Sequence, residues 1–264
     1  MKSLEKIVSR NNARIKYVTK LISDSSFRKK QGLFCIEGMR ICLDALISDV
    51  EIKQVFYTSG VLKKYLNDVE KIIKKSEEVY EVSQDVFSKF SDTGTPQGIL
   101  CVCVNSDNVS EIEKLEEGKK YIALENIQDP SNLGAICRTA EALGIDGAIL
   151  CRCCDMYNPK VLRGSMGSLF RLPIIKCDEI EEVLLSSRKK GLKVITTVTD
   201  KNAKKITDVS FDCGVVCVIG NEGNGVSEKT ISMCDEKITI PMLGRAQSLN
   251  ASMAACITMW EVMR

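Results

Sequence analysis

Between Tyr121 and the last helix of the chain, short apolar runs take turns with amphipathic stretches. That alternation restricts the fold more than any other feature. YIALENI reads as a strand, SNLGAICRTAEALG as a helix and GAILC as a strand. RLPIIK, DEIEEVLLSSRKK, LKVITTVT, VVCVI and KITIPM follow as strand, helix and three strands, and a final helix begins at about Ser248. Strands joined by helical crossovers form a mostly parallel sheet with helices on both faces. In the first of these helices Leu133, Ile136, Ala140 and Leu143 recur at steps of three or four, one apolar stripe. Ser131 is its expected N-cap and Gly144 its expected stop.

The first hundred residues show the same α/β alternation. Leu33 to Ile36 are apolar, Met39, Leu43 and Leu46 follow at helical spacing, and Val50 to Tyr57 alternate. A helix over 61–75, a strand near 79–82, the turn cluster SDTGTPQG and a strand from Ile99 to Val104 complete this part. NSDNVSEIEKLEEGKK is polar and charged, as a linker would be. The expected organisation is one α/β domain over 1–104, a linker over 105–119 and a second α/β domain over 120–264.

Charge is uneven along the chain. Residues 1–40 hold ten Lys/Arg against Glu5, Asp24 and Glu37. Arg10, Arg14, Lys16, Lys20, Arg28, Lys29 and Lys30 are interleaved with Asn11, Asn12, Tyr17 and Phe27, a mixture that suits a phosphate backbone and unstacked bases. A solvated helix face is the other reading of the same charges. The absence of histidine excludes Ser-His and Cys-His nucleophiles and every His-containing metal site. No apolar run approaches the roughly 20 residues of a membrane span. The first residues lack the apolar core of a signal peptide. With 13 cysteines, these features lead us to expect a reducing cytoplasm and free thiols. Cys151, Cys153 and Cys154, and Cys213 with Cys217, lack the second pair a zinc site needs, so no metal is expected.

Chemistry in such sheets gathers at the carboxyl ends of strands. Four polar or glycine-rich clusters fall there: Glu125 and Asn126 through Asn132 and Arg138, Thr196 with Thr197, the turn Gly220–Gly225, and MLGRAQSLNAS. The turn reads G-x-x-G-x-G rather than G-x-G-x-x-G, and no G-x-x-x-x-G-K-[ST] loop is present, which argues against a dinucleotide-dependent oxidoreductase or an ATP site.

Three ordered blocks, ENIQDPSNLGAICRTAEALG, VIGNEGNGVS and IPMLGRAQSLNASMAACITMWE, resemble the motifs of the SpoU/TrmH-type RNA 2′-O-ribose methyltransferases of the SPOUT class. FCIEGMRICLDAL more loosely resembles the amino-terminal substrate-binding domain of many members, an L30e-like fold. The resemblance implies a trefoil-knotted methyltransferase domain, S-adenosylmethionine as methyl donor, and a homodimer with the site near the subunit interface. It also implies RNA as substrate, with 23S ribosomal RNA expected because a separate substrate domain is present.

Carried onto this sequence, the resemblance assigns donor contacts to the main chain at Gly220, Ile240 and Leu249 and to the strand end at Thr197. Gly220 is expected to let the backbone approach the donor without a Cβ in the way. The resemblance assigns catalysis to Asn132, Arg138, Glu222, Ser248 and Asn250. Glu222 is expected to pair with and orient Arg138. Ser248 and Asn250 are expected to bond the ribose or the loop carrying Glu222. Arg163, Ser165 and Arg171 are weaker candidates for RNA contact. A non-catalytic RNA-binding or ribosome assembly factor, and a transfer-RNA methyltransferase, are the alternative functions.

Overall fold

The computed structural model describes residues 4–105 and 109–264; the first three residues of the basic segment and 106–108 of the expected linker lie outside them. The described residues form two compact units. One holds those before 106 together with Tyr157–Phe170, and the other those from 109 to Met156 together with Arg171–Arg264.

In the first unit, β1 (Leu4–Ile7), α1 (Ala13–Ser23), α2 (Ser25–Gln31), β2 (Leu33–Glu37), α3 (Met39–Ile47) and β3 (Ile52–Tyr57) are followed by α4 (Ser59–Lys64), α5 (Leu66–Lys75), β4 (Glu78–Val82), α6 (Gln84–Phe90) and β5 (Ile99–Val104). The sheet order is β1-β4-β3-β5-β2. β1, β4 and β3 run parallel, while β5 is antiparallel to both β3 and β2. Two readings change. The single helix expected over 61–75 is broken at Tyr65, which leaves the helical region (φ −133°, ψ 45°). The buried face of α3 is Met39, Ile41, Cys42 and Ala45; Leu43 and Leu46 are only half-buried.

The second unit contains β6 (Val109–Ser110), β7 (Lys120–Glu125), α7 (Pro130–Leu143), β8 (Gly147–Cys151), β9 (Ile174–Cys177), α9 (Ile180–Lys189), β10 (Lys193–Thr197), β11 (Lys204–Lys205), β12 (Val215–Ile219), α10 (Glu228–Met233), β13 (Glu236–Thr239) and α11 (Ala251–Met263). All eight strands are parallel, in the order β11-β13-β10-β12-β7-β8-β9-β6. β8 and β12 are buried at every residue, as central strands covered on both faces must be. The stretch read as a linker therefore supplies an edge strand, β6, that pairs with β9.

Between β8 and β9 the chain forms α8 (Pro159–Ser165), which packs on β2 of the first unit. The Phe34 ring stacks on Tyr157 at 4.6 Å and lies 6.2 Å from Phe170. Residues 157–170 thus complete the core of the unit that precedes them by fifty residues of sequence.

Candidate active site

The turn that follows β12 closes on itself. Asn221 and Gly225 exchange backbone hydrogen bonds of 3.0 Å in both directions. A Cβ on Gly220 would lie 2.1 Å from the Gly225 carbonyl carbon and 2.2 Å from the Val226 nitrogen. The glycine is required because its own turn fills that space. This corrects the expectation that the gap is kept for a ligand. The left-handed residue of the turn is Gly225, at φ 69°.

Closure of the turn aims Glu222 at the start of α7. Glu222 Oε1 accepts from the Asp129 backbone N–H (3.0 Å) and from Asn132 Nδ2 (3.0 Å), and Oε2 from Gln128 N–H (3.3 Å) and Asn221 Nδ2 (3.2 Å). Asn132 Oδ1 in turn accepts from Asn250 Nδ2 (3.0 Å). Asn250 Oδ1 caps α11, accepting from Ser252 N (2.9 Å), Ser252 Oγ (2.6 Å) and Met253 N (3.4 Å). A carboxylate and two amides thereby join the amino-terminal ends of α7 and α11. Burial pushes the Glu222 carboxyl up, but the bonds from Asn132 and the backbone of Asp129 and Gln128 outweigh it, so Glu222 titrates below the usual glutamate range.

Arg138 is not part of this cluster. Six residues along α7 from Asn132 amount to a rotation of about 240°. Asn132 is 5% exposed, whereas Arg138 faces solvent. The expected Glu222–Arg138 pair is replaced by neutral donors on both carboxylate oxygens. The Arg138 side chain makes no hydrogen bond or ion pair with the described residues.

Thr197 ends β10, half-buried, with Oγ1 donating to Val218 O at 3.4 Å. Ile240 follows β13, and Leu249 precedes the cap of α11. The peptide groups of both make no backbone hydrogen bonds among the described residues. Ser248 is exposed and lies outside the helix; the helix start moves to Ala251, with Asn250 as N-cap.

Several functional groups were not anticipated. Asp129, not Ser131, caps α7, accepting from Ser131 N at 2.8 Å with Pro130 in the first turn. Aspartate before proline at a helix start is a legible signal for this. Asn126 (φ 60°) and Arg152 (φ 51°) follow β7 and β8 in the left-handed region, where L side chains are strained. Gln128 Nε2 ties them together through Asn126 Oδ1 (2.7 Å) and Arg152 O (2.8 Å). That signal is tertiary and has no counterpart in the sequence.

The expected RNA contacts are partly used up inside the protein. Ser165 is buried and its hydroxyl donates to Leu162 O (2.9 Å). Arg171 pairs with Glu141 and Arg163 with Asp92, each at 2.8 Å. Arg28 is buried and donates to Leu21 O (2.7 Å) and Ile22 O (2.8 Å). Arg10 pairs with Asp85, Asn12 caps α1, and the Tyr17 and Phe27 rings meet each other at 5.3 Å. Lys16, Lys29 and Lys30 remain exposed. Burial pushes the Cys153 and Cys154 thiols up to about 12, which keeps them protonated and poor metal ligands.

Residues 119–260 match the SpoU rRNA Methylase family, and residues 12–101 match the MRM3-like substrate binding domain. The chain belongs to the SpoU rRNA methylase family. A Bacillus subtilis relative, 23S rRNA (guanosine(2553)-2′-O)-methyltransferase RlmP, is 30% identical over 98% of this chain and 99% of its own. The AdoMet-bound rRNA methyltransferase of Sinorhizobium meliloti superimposes with a TM-score of 0.87 at 27% identity, covering 98% of this chain and 97% of that one. The SpoU methyltransferase AviRb of Streptomyces viridochromogenes, solved with AdoMet, gives 0.83 at 26% identity, covering 96% and 98%. Membership of the SpoU family thus extends over both units rather than over the parallel sheet alone.

Proposed function

We propose that this SpoU methylase transfers a methyl group from S-adenosylmethionine to a ribose 2′-hydroxyl of 23S ribosomal RNA, acting as a cytoplasmic homodimer with a knotted carboxyl-terminal domain. The observation that carries this reading is the end-to-end match to a relative named for that reaction, at 30% identity over 98% of the chain.

The residues present suit the donor. The peptide groups of Ile240 and Leu249, without backbone hydrogen bonds among the described residues, offer donors and acceptors, and the buried Thr196 hydroxyl has no partner among the described residues. S-adenosylmethionine, when bound, supplies an electrophilic methyl carbon. Asn132, Glu222 and Asn250 fix the amino-terminal ends of α7 and α11, with Glu222 anionic at neutral pH. Arg138 cannot serve as a base, because guanidinium pKa values exceed about 12. It clamps the phosphate beside the acceptor ribose and stabilises the negative charge that grows on the 2′-oxygen. A phosphate oxygen takes the hydroxyl proton.

The position of Arg138 favours a site shared between two copies. α11 packs against α7, with Cys256 Sγ 3.2 Å from Thr139 Oγ1. Met253, Ile257 and Trp260 form an apolar stripe along α11 and stay 54%, 37% and 59% exposed. The proposed dimer pairs through that stripe and brings Arg138 of one copy to the Glu222 cluster of the other.

The test uses purified protein, labelled donor and ribosomal RNA from cells lacking the gene. Label should enter 23S RNA, and the modified nucleotide should resist alkaline cleavage on its 3′ side. A fragment with a 2′-deoxy target should bind and remain unlabelled. Labelling of that fragment would sink the ribose assignment, and labelling of transfer RNA alone would sink the substrate assignment.

A further inference from the structure

A cavity of about 280 Å³ opens in the first unit, bounded by the start of α3, the loop Thr93–Gln97 and the end of α8. It lies just under the roughly 300–1,000 Å³ usual for small-ligand pockets, so a single nucleotide is the scale of group it admits. Hydrogen bonds and an ion pair hold its walls. Glu37 accepts from Ser91 Oγ (2.6 Å), Thr93 Oγ1 (2.7 Å) and Asp92 N–H (3.0 Å), which pins the loop. Asp92 in turn holds Arg163. Gln97 Oε1 accepts from Met39 N–H (2.8 Å), and this orients the amide so that its Nε2 donors are uncommitted.

On the α8 side, Met166 (φ 48°) and Gly167 (φ 82°) form a left-handed corner against Asp44, and a Cβ on Gly167 would come within 2.7 Å of Asp44 Cβ. A non-glycine residue in that conformation, at the wall of a cavity, is strain the surroundings must hold in place. The groups left over are of both kinds. Arg40 and Gln97 present donors, Asp44 presents acceptors, and Ile41 and Met166 are apolar. Arg40 and Asp44 make no side-chain hydrogen bond or ion pair with the described residues.

A simple anion site would not carry the unpaired Asp44 carboxylate. An apolar ligand would not need Arg40. A heteroaromatic base satisfies both, and guanine does so best. Its N1–H and N2–H₂ are donors for a carboxylate, while its O6 and N7 are the acceptors that arginine and amides read. Unpaired bases in RNA loops are recognised in this way, splayed from the stack into pockets. We infer that the first unit binds one unstacked guanine of the substrate RNA in this cavity. Arg40 and Gln97 read its acceptors and Asp44 its donors. The inference rests on RNA being the substrate and adds the base that the substrate domain selects.

The test measures binding of full-length protein to fluorescent pentanucleotides, UUGUU against UUAUU, UUCUU and UUUUU, by anisotropy. The central guanine should tighten binding roughly ten-fold, the scale of one bidentate base contact. Asp44→Asn and Arg40→Ala, both at the cavity surface, should each remove most of that preference while donor affinity by calorimetry stays unchanged. Inosine at the centre, lacking N2, should bind more weakly than guanosine. Equal affinity for all four pentamers would overturn the inference. So would a guanine preference that survives both substitutions, or competition by inorganic phosphate equal to that by guanosine 5′-monophosphate. Methyl transfer to ribosomal RNA, measured on the same preparations, reports separately on the enzyme reading. Loss of base preference with transfer intact would remove the pocket and leave the methyltransferase.

Discussion

Glu37 ends β2 in the first unit and Glu222 stands in the turn after β12 in the second, each beside the start of a helix, and both are satisfied by neutral donors. Their surroundings differ. The donors to Glu37 come from one loop, Ser91 to Thr93. Those to Glu222 come from the turn itself, the approach to α7 and the Asn132 amide inside that helix. One carboxylate shapes a loop; the other couples two helices. Each unit also holds an arginine, Arg40 or Arg138, whose side chain has no counter-ion among the described residues, and such a cation is available to RNA phosphates or base edges.

The sharpest contrast is between glycines. Gly220→Ala should cost about 3 kcal/mol or more, because the added carbon meets backbone that cannot step aside. Gly38→Ala, at φ 110° with Gln97 Oε1 at 3.4 Å, should cost about 1–2 kcal/mol through backbone strain alone. Urea denaturation of both would measure this, and equal costs would remove the distinction.

The arginines come next. Arg138→Ala should lower methyl transfer about 100-fold with donor affinity changed less than about three-fold, since the proposed mechanism puts it at the developing charge. Arg40→Ala should instead act on RNA affinity. If the two profiles coincide, the division of labour between the units is wrong.

A smaller effect separates the carboxylate clusters. Asn132 is buried and serves two partners, so Asn132→Ala should cost about 2–3 kcal/mol in thermal or urea unfolding. Ser91→Ala should cost about 1 kcal/mol, because Thr93 and the Asp92 N–H still hold Glu37.

The smallest is a pH effect. Glu222 is depressed in the folded state, so the unfolded chain binds its proton first as pH falls. Its stabilisation is present above the ordinary glutamate value, about 4.3, and is lost below that as pH drops through the folded value. Glu222→Gln should flatten the stability profile in that acidic window. Because Glu222 is partly exposed to water, the change should be modest.

The parallel sheet was legible because each central strand is a continuous apolar run and α7 has a clear helical period. The break at Tyr65 was not, since 61–75 keeps its amphipathic pattern through a local backbone departure. α8 was missed because VLRGSMGSLFRLP mixes glycine, serine and apolar residues with no period, and its partner strand lies far away in sequence. In the site, the family resemblance suggested pairing Glu222 with Arg138. Counting residues around the helix would have argued against it, as Asn132 and Arg138 cannot share a face six positions apart. That amides would fill the carboxylate's valences required knowing where β12 ends relative to α7, which is tertiary information.

The segment 157–170 has a consequence for how the chain is made. Phe34 and its neighbours leave the ribosome with their packing partners, Tyr157, Leu162 and Phe170, still untranslated. At about 5–20 residues per second, the first unit waits several seconds with an open flank. A cut after residue 105 splits the first folding unit between two fragments and strands α8 with its apolar side bare. A separable methyltransferase half would need residues 157–170 replaced by a short polar bridge between Met156 and Arg171.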